Sequence, residues 1–189
     1  MQKFTSLLAL FFVLLFTQCG KDKCKTVTCA NSGTCKDGTC QCTPGWGGAD
    51  CSTEVVPKSV NVKSVKITQM PGNKPDGSSW GGNGTDTIYY EVFESANFNK
   101  VYASEKGILS SMTFDFAKIY DAAGKEVSAM SWSPDLHYNF IFSYHDDVKV
   151  QTISNFEAVP YTAGEKFPTS IKFSNAQGYK GEMAVSYTW

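Results

Sequence analysis

Six cysteines fall within 28 residues of this chain, spaced Cys24-x4-Cys29-x5-Cys35-x4-Cys40-x-Cys42-x8-Cys51, and no other feature constrains the fold so tightly. A segment that short cannot bury enough apolar surface to offset its backbone entropy, so cross-links take the place of a core. Six cysteines permit fifteen connectivities, and spacing alone does not choose among them. Zinc coordination is the competing use of the thiols, but no histidine lies nearby, and thiolates in an oxidising exterior become disulfides. Asp37-Gly38, between Cys35 and Cys40, is a hairpin-turn dipeptide because glycine takes positive φ without steric cost. Gly45 and Gly48 similarly free the backbone around Trp46.

The stretch resembles the EGF-like family, which carries C-x-N-x-G-x-C across its second and third cysteines and C-x-C-x-x-G-aromatic-x-G-x-x-C at its end. Here those positions read Cys29-Ala30-Asn31-Ser32-Gly33-Thr34-Cys35 and Cys40-Gln41-Cys42-Thr43-Pro44-Gly45-Trp46-Gly47-Gly48-Ala49-Asp50-Cys51. The resemblance, which covers Cys24 to Cys51, implies the pairs Cys24 to Cys35, Cys29 to Cys40 and Cys42 to Cys51. Some members bind calcium through acids before the first cysteine. Lys21-Asp22-Lys23 offers one acid between two lysines, and the Cys35 to Cys40 segment is too short for the rest of that pattern, so a module without calcium is expected.

The seventh cysteine has a different context. A charged Met1–Lys3 start leads into an unbroken apolar run, Leu7 to Phe16, of the length of a signal-peptide h-region and short of the ~20 residues a spanning helix needs. Leu15-Phe16-Thr17-Gln18-Cys19 resembles a bacterial lipoprotein box, and Cys19-Gly20-Lys21-Asp22 is similar to the start of mature surface lipoproteins of the Bacteroidetes. This implies a signal peptide over 1–18, lipidation of Cys19 and a tether over 19–23. Lipidating Cys19 also leaves an even number of thiols, all inside the module. The expected location is an outer membrane or cell surface, held by the lipid; the alternative is a secreted protein.

Residues 52–59 (STEVVPKS) read as a linker. From Val60 onward, short β-branched and aromatic runs alternate with Gly, Pro, Asn and Asp clusters, which predicts an antiparallel β-sandwich over 60–189 and an all-β chain. The clearest predicted strands are Val60–Thr68, Thr87–Phe93, Lys100–Ala103, Met112–Phe116, His137–Tyr144, Ser170–Phe173 and Glu182–Trp189. In the fifth, Tyr138, Phe140, Phe142 and Tyr144 fall on one face. The segment resembles C2-type sandwiches at Lys66-Ile67-Thr68-Gln69-Met70-Pro71, a Gly-rich loop with Trp80, Asp86 to Val92, Tyr144-His145-Asp146-Asp147, Phe167 to Ile171 and Val185 to Trp189. That resemblance implies a calcium set drawn from Asp76, Asp86, Asp146 and Asp147, because a hard cation takes several carboxylate oxygens from loops at one end. Ordinary solvated carboxylates are the competing reading. Trp80, flanked by small polar residues in the long loop Pro71 to Gly84, is a candidate ligand contact, or else folds back on the sandwich.

Lys and Arg total 17 against 18 Asp and Glu, and all 17 are lysine. No net field recruits nucleic acid, and no guanidinium fork is present for phosphate. There is no G-x-S-x-G elbow, H-E-x-x-H helix, P-loop or dinucleotide fingerprint, so catalysis is not expected and no catalytic residue is assigned. The expected function is a cell-surface ligand-binding or adhesion module, an EGF-like stalk presenting a sandwich to a carbohydrate or protein ligand. The alternatives are a secreted accessory hydrolase or a structural surface component.

Overall fold

A computed structural model describes residues 22–80, 86–108, 114–145 and 150–189. The predicted signal peptide and Cys19 lie outside the described residues, as do Asp146 and Asp147. The described chain is all-β, without a helix, and divides into two compact units, the first ending at Val55 and the second running Val56–Trp189.

In the first unit, Cys24 bonds Cys35, Cys29 bonds Cys40 and Cys42 bonds Cys51, the pairs that the EGF-like resemblance implies. Strands β1 (Thr34–Lys36) and β2 (Thr39–Gln41) pair antiparallel with Cys35 opposite Cys40. Asp37 and Gly38 turn between them at φ 53° and 88°, the paired positive values of a two-residue hairpin. The signature glycine has a steric reason: a Cβ at Gly33 would stand 2.7 Å from Cys51 Sγ. The signature Asn31 donates from Nδ2 to Cys51 O at 2.9 Å, and its own carbonyl accepts from Thr43 Oγ1 at 2.9 Å. One asparagine thus stitches the early part of the module to Thr43 and to its last cysteine.

Strand β3 (Trp46–Gly47) pairs with β4 (Thr53–Glu54), and Val55 N donates to Gly45 O. The linker expected over 52–59 is therefore shared between the units. Thr53 and Glu54 complete the disulfide-rich unit by pairing beyond Cys51, and Ser59 already opens the first strand of the second.

That second unit begins with β5 (Ser59–Gln69), followed by β6 (Thr87–Glu94), β7 (Lys100–Ser104) and β8 (Gly107–Ile108). Four short strands come next: β9 (Phe114–Phe116), β10 (Ile119–Asp121), β11 (Glu126–Val127) and β12 (Met130–Trp132). The chain ends with β13 (Tyr138–His145), β14 (Val150–Ala158), β15 (Ser170–Ser174) and β16 (Lys180–Thr188). One sheet has the order β12-β5-β16-β15 with β9 also on β5; the other runs β11-β10-β7-β6-β13-β14 with β8 on β6.

The two sheets bury a shared aromatic core. Phe156 of β14 stacks on Phe173 of β15 at 4.1 Å, Tyr90 of β6 meets Phe116 of β9 edge-on at 4.7 Å, and Trp132 of β12 meets Phe140 of β13 at 5.4 Å. Each pair has one ring from each sheet, which is the interdigitation of a sandwich. Alternation supplies these inward faces: Ile88, Tyr90 and Val92 on β6, and Tyr138, Phe140, Phe142 and Tyr144 on β13, are all buried.

Two of the bulges in these sheets interrupt the alternation of long strands. On β5 the buried residues are Val60, Val62, Val65 and Ile67, and the pairing with β16 skips Lys63 between Ala184 and Val185. The extra residue re-phases the strand so that both halves face the core. On β14 the pairing with β13 skips Ile153 between Phe142 and Ser143.

All seven predicted strands are present with shifted ends, the described part of the fourth being Phe114–Phe116. β14 escaped because its bulge spaces Val150, Ile153, Phe156 and Ala158 at intervals that match neither two nor a helix, and the two- and three-residue strands are too short to show a period.

Candidate functional site

Strand register places several connections at one end of the sandwich. β5 ends at Gln69 opposite Lys180, where β16 begins, and β13 ends at His145 opposite both Thr87 of β6 and Val150 of β14. At this end an open cleft of about 530 Å³ lies between the segment Pro71–Pro75, the bulged part of β14 and the turn leading to Tyr179. Its size is that of a small-ligand site.

The Pro71–Ser79 segment is a miniature hairpin. Asn73 bridges Ser79, Lys74 N donates to Ser78 O at 2.8 Å, and Gly77 turns at φ 87°. Asp76 Oδ1 accepts from Ser78 N at 3.1 Å and from Ser78 Oγ at 2.6 Å, so this exposed carboxylate braces the turn. Trp80 follows. It is half-buried, packs edge-on against Tyr144 at 5.6 Å and donates from Nε1 to Pro71 O at 2.8 Å. Of the two roles expected for Trp80, the folded-back one describes its position: the indole fixes the wall of the cleft rather than standing out from the loop.

Behind that wall lies a buried ion pair, Lys74 Nζ to Asp86 Oδ1 at 2.8 Å, with the side chains only 9% and 5% exposed. The same ammonium stands over the Tyr144 ring, 5.2 Å from its centroid. A buried ammonium needs a counter-charge, which the carboxylate supplies, and the ring face adds a cation–π attraction. Tyr144 OH in turn donates to Gln151 Oε1 at 2.8 Å.

Asn175 anchors the opposite wall. It accepts from Tyr179 N at Oδ1 at 3.0 Å and donates from Nδ2 to Ser154 Oγ. Burial, assisted by nearby Tyr144, pushes the Tyr179 phenol up to about 12, so it stays protonated at neutral pH. Ile153, the bulged residue, and Ser154 are both buried, while Thr152 and Asn155 on either side are exposed along the cleft.

Among the calcium candidates, Asp76 and Asp86 flank the same connection but have different partners, Ser78 and Lys74. Among the described residues no three His, Cys, Asp or Glu side chains gather to hold a metal. Asp146 and Asp147 lie outside those residues. The cleft-lining Asn73, Asn155, Gln177 and Tyr179 were not singled out from the sequence. They come from three segments that meet only in the fold, and each is an ordinary polar residue of a turn or edge strand.

No curated protein matches this chain. Residues 26–54 match the Teneurin-like EGF domain family, so the disulfide-rich unit is similar to an extracellular or exported type of module, and the match reaches β4 just as the fold does.

Proposed function

We propose that this chain is a surface-displayed binding protein: a lipid on Cys19 tethers it, the EGF-like unit serves as a spacer, and the sandwich, C2-like in type, binds a ligand in the cleft beside Lys74 and Asn155. The leader and lipoprotein-box residues support the tether, and the disulfide framework supports an exported location. The observation that carries the binding role is the cleft itself. Segments from both sheets wall it, and hydrogen bonds through Asn175, Ser154 and Trp80 hold those walls in place. Pre-ordered walls lower the entropy lost when a ligand docks.

The test of the site is binding of the purified chain to arrays of immobilised proteins and polysaccharides, repeated with Asn155→Trp. Residue 155 is exposed on β14, so the indole fills the cleft without entering the core. Signals lost in the variant support the site; signals unchanged by it, or none at all, refute it. For the tether, metabolic palmitate labelling is expected in the native chain and lost in Cys19→Ala, and an unlabelled native chain removes the lipid from the reading.

A further inference from the structure

We infer that the cleft takes an uncharged, hydroxyl-rich ligand, a neutral oligosaccharide, and holds it without a metal ion. This rests on the cleft being the binding site and adds the chemistry of what enters it.

Besides Lys74 and the Tyr179 phenol, the polar lining has the amides of Asn73, Asn155 and Gln177 and the hydroxyls of Thr152 and Ser154. Each amide both donates and accepts, as does each hydroxyl, and so do the ring hydroxyls of a sugar. Carboxylates and sulfates only accept, so they use only the donor half of these groups and are favoured where cations or clustered N–H donors face them. Among the described residues Lys74 is the only charged side chain in the lining, and its ammonium is engaged by Asp86 at 2.8 Å and almost fully withdrawn from solvent. Redirecting it to an anionic ligand would pull it away from the buried Asp86 carboxylate, a cost that opposes binding. Prolines 71 and 75, Ile153 and the Tyr179 ring give apolar surface suited to the C–H faces of a pyranose.

The lysine also bears on metal dependence. Among the described residues Asp86 is the buried carboxylate at this end, and the chain's own ammonium already supplies positive charge beside it.

An extended peptide is the competing ligand, because among the described strands β14 ends its sheet and offers that edge to the cleft. Strand addition needs an unbroken ladder of donors and acceptors along that edge. The bulge at Ile153 falls within the four β14 residues that line the cleft, and it breaks the ladder there.

The experiment uses the purified chain on a glycan array carrying neutral, sialylated, uronate and sulfated oligosaccharides, beside an array of capped peptides, in calcium and again in EDTA. Expected are neutral glycans as the leading signals, unchanged by EDTA, with affinity reduced about tenfold by Asn155→Ala, the equivalent of one or two hydrogen bonds in a partly desolvated site. Unchanged thermal unfolding of Asn155→Ala confirms that the loss is local. The inference is overturned if charged glycans or peptides lead, if EDTA abolishes binding, if Asn155→Ala has no effect, or if no glycan is bound. Binding to a protein or peptide that Asn155→Trp abolishes overturns the sugar but keeps the site. No binding sensitive to Asn155→Trp overturns both.

Discussion

Replacing Tyr90 with phenylalanine is expected to stabilise the sandwich. Tyr90 is fully buried on β6, its ring packed against Phe116, Phe140 and Phe142 at 4.7, 5.4 and 5.7 Å, and its hydroxyl has no hydrogen-bond partner among the described residues. A hydroxyl buried without a partner costs about 1–3 kcal/mol. Deleting it leaves a one-atom void whose lining forfeits roughly 0.5 kcal/mol of dispersion contact. The expected net gain is about 1–2 kcal/mol, which for a domain of this size raises Tm by about 3–8 °C. Calorimetry and urea unfolding with an unchanged m-value are the assays. An alkaline arm adds a second readout. Burial pushes the Tyr90 phenol well above its ordinary value of 10.0, so the unfolded chain releases that proton before the folded one does. The stabilisation linked to this group is complete below pH 10 and is lost as pH rises beyond it. The variant has no such loss, so its advantage widens above pH 10. A Tm at or below that of the parent at neutral pH refutes the reasoning, because it means that the hydroxyl has a partner in the folded protein.

Lys74→Met is expected to destabilise the sandwich by about 3–5 kcal/mol by removing the ammonium that pairs with the buried Asp86 carboxylate, and Lys74→Met/Asp86→Leu to recover most of that in urea unfolding. Gly181→Ala places a Cβ 2.0 Å from Phe173 Cζ and 2.5 Å from Lys66 O; a loss of about 1–3 kcal/mol is expected by the same assay, only partly relieved by Phe173→Leu because the carbonyl cannot yield. Cys42→Ala/Cys51→Ala opens a loop of separation 9 and is expected to cost the first unit about 3 kcal/mol, read as lost amide protection across Trp46–Glu54. Stability of the whole chain is expected to fall between pH 10 and 12, since Tyr179 is raised to about 12, and Tyr138 and Tyr187 are also raised by burial.

The disulfide unit was the most legible part of the chain. Its signature residues act over short sequence distances: Asp37-Gly38 makes a turn, Gly33 makes room for a sulfur, and the cysteines lie close enough along the chain for a pattern to imply their partners. In the sandwich, β13 was legible because four aromatics alternate without interruption. β14 was not, because its bulge is imposed by pairing with β13 rather than by its own composition. The roles of the aspartates were legible only as a shared location, since nothing in the order Lys74, Asp76, Asp86 says which carboxylate the ammonium takes. That choice follows from Asp86 being buried at the start of β6 while Asp76 stays at an exposed turn.

By itself, the sequence determined the all-β class, the cross-linked EGF-like segment and most of the inward faces of the long strands, because period, turn chemistry and cysteine spacing are local properties. Only the tertiary structure decided how far that segment runs, which way Trp80 faces, and that Lys74 neutralises Asp86 beside a cleft lined by amides and hydroxyls. Those outcomes depend on groups distant in sequence meeting out of water, where the energy of a charge or an amide is set by its neighbours rather than by its place in the chain.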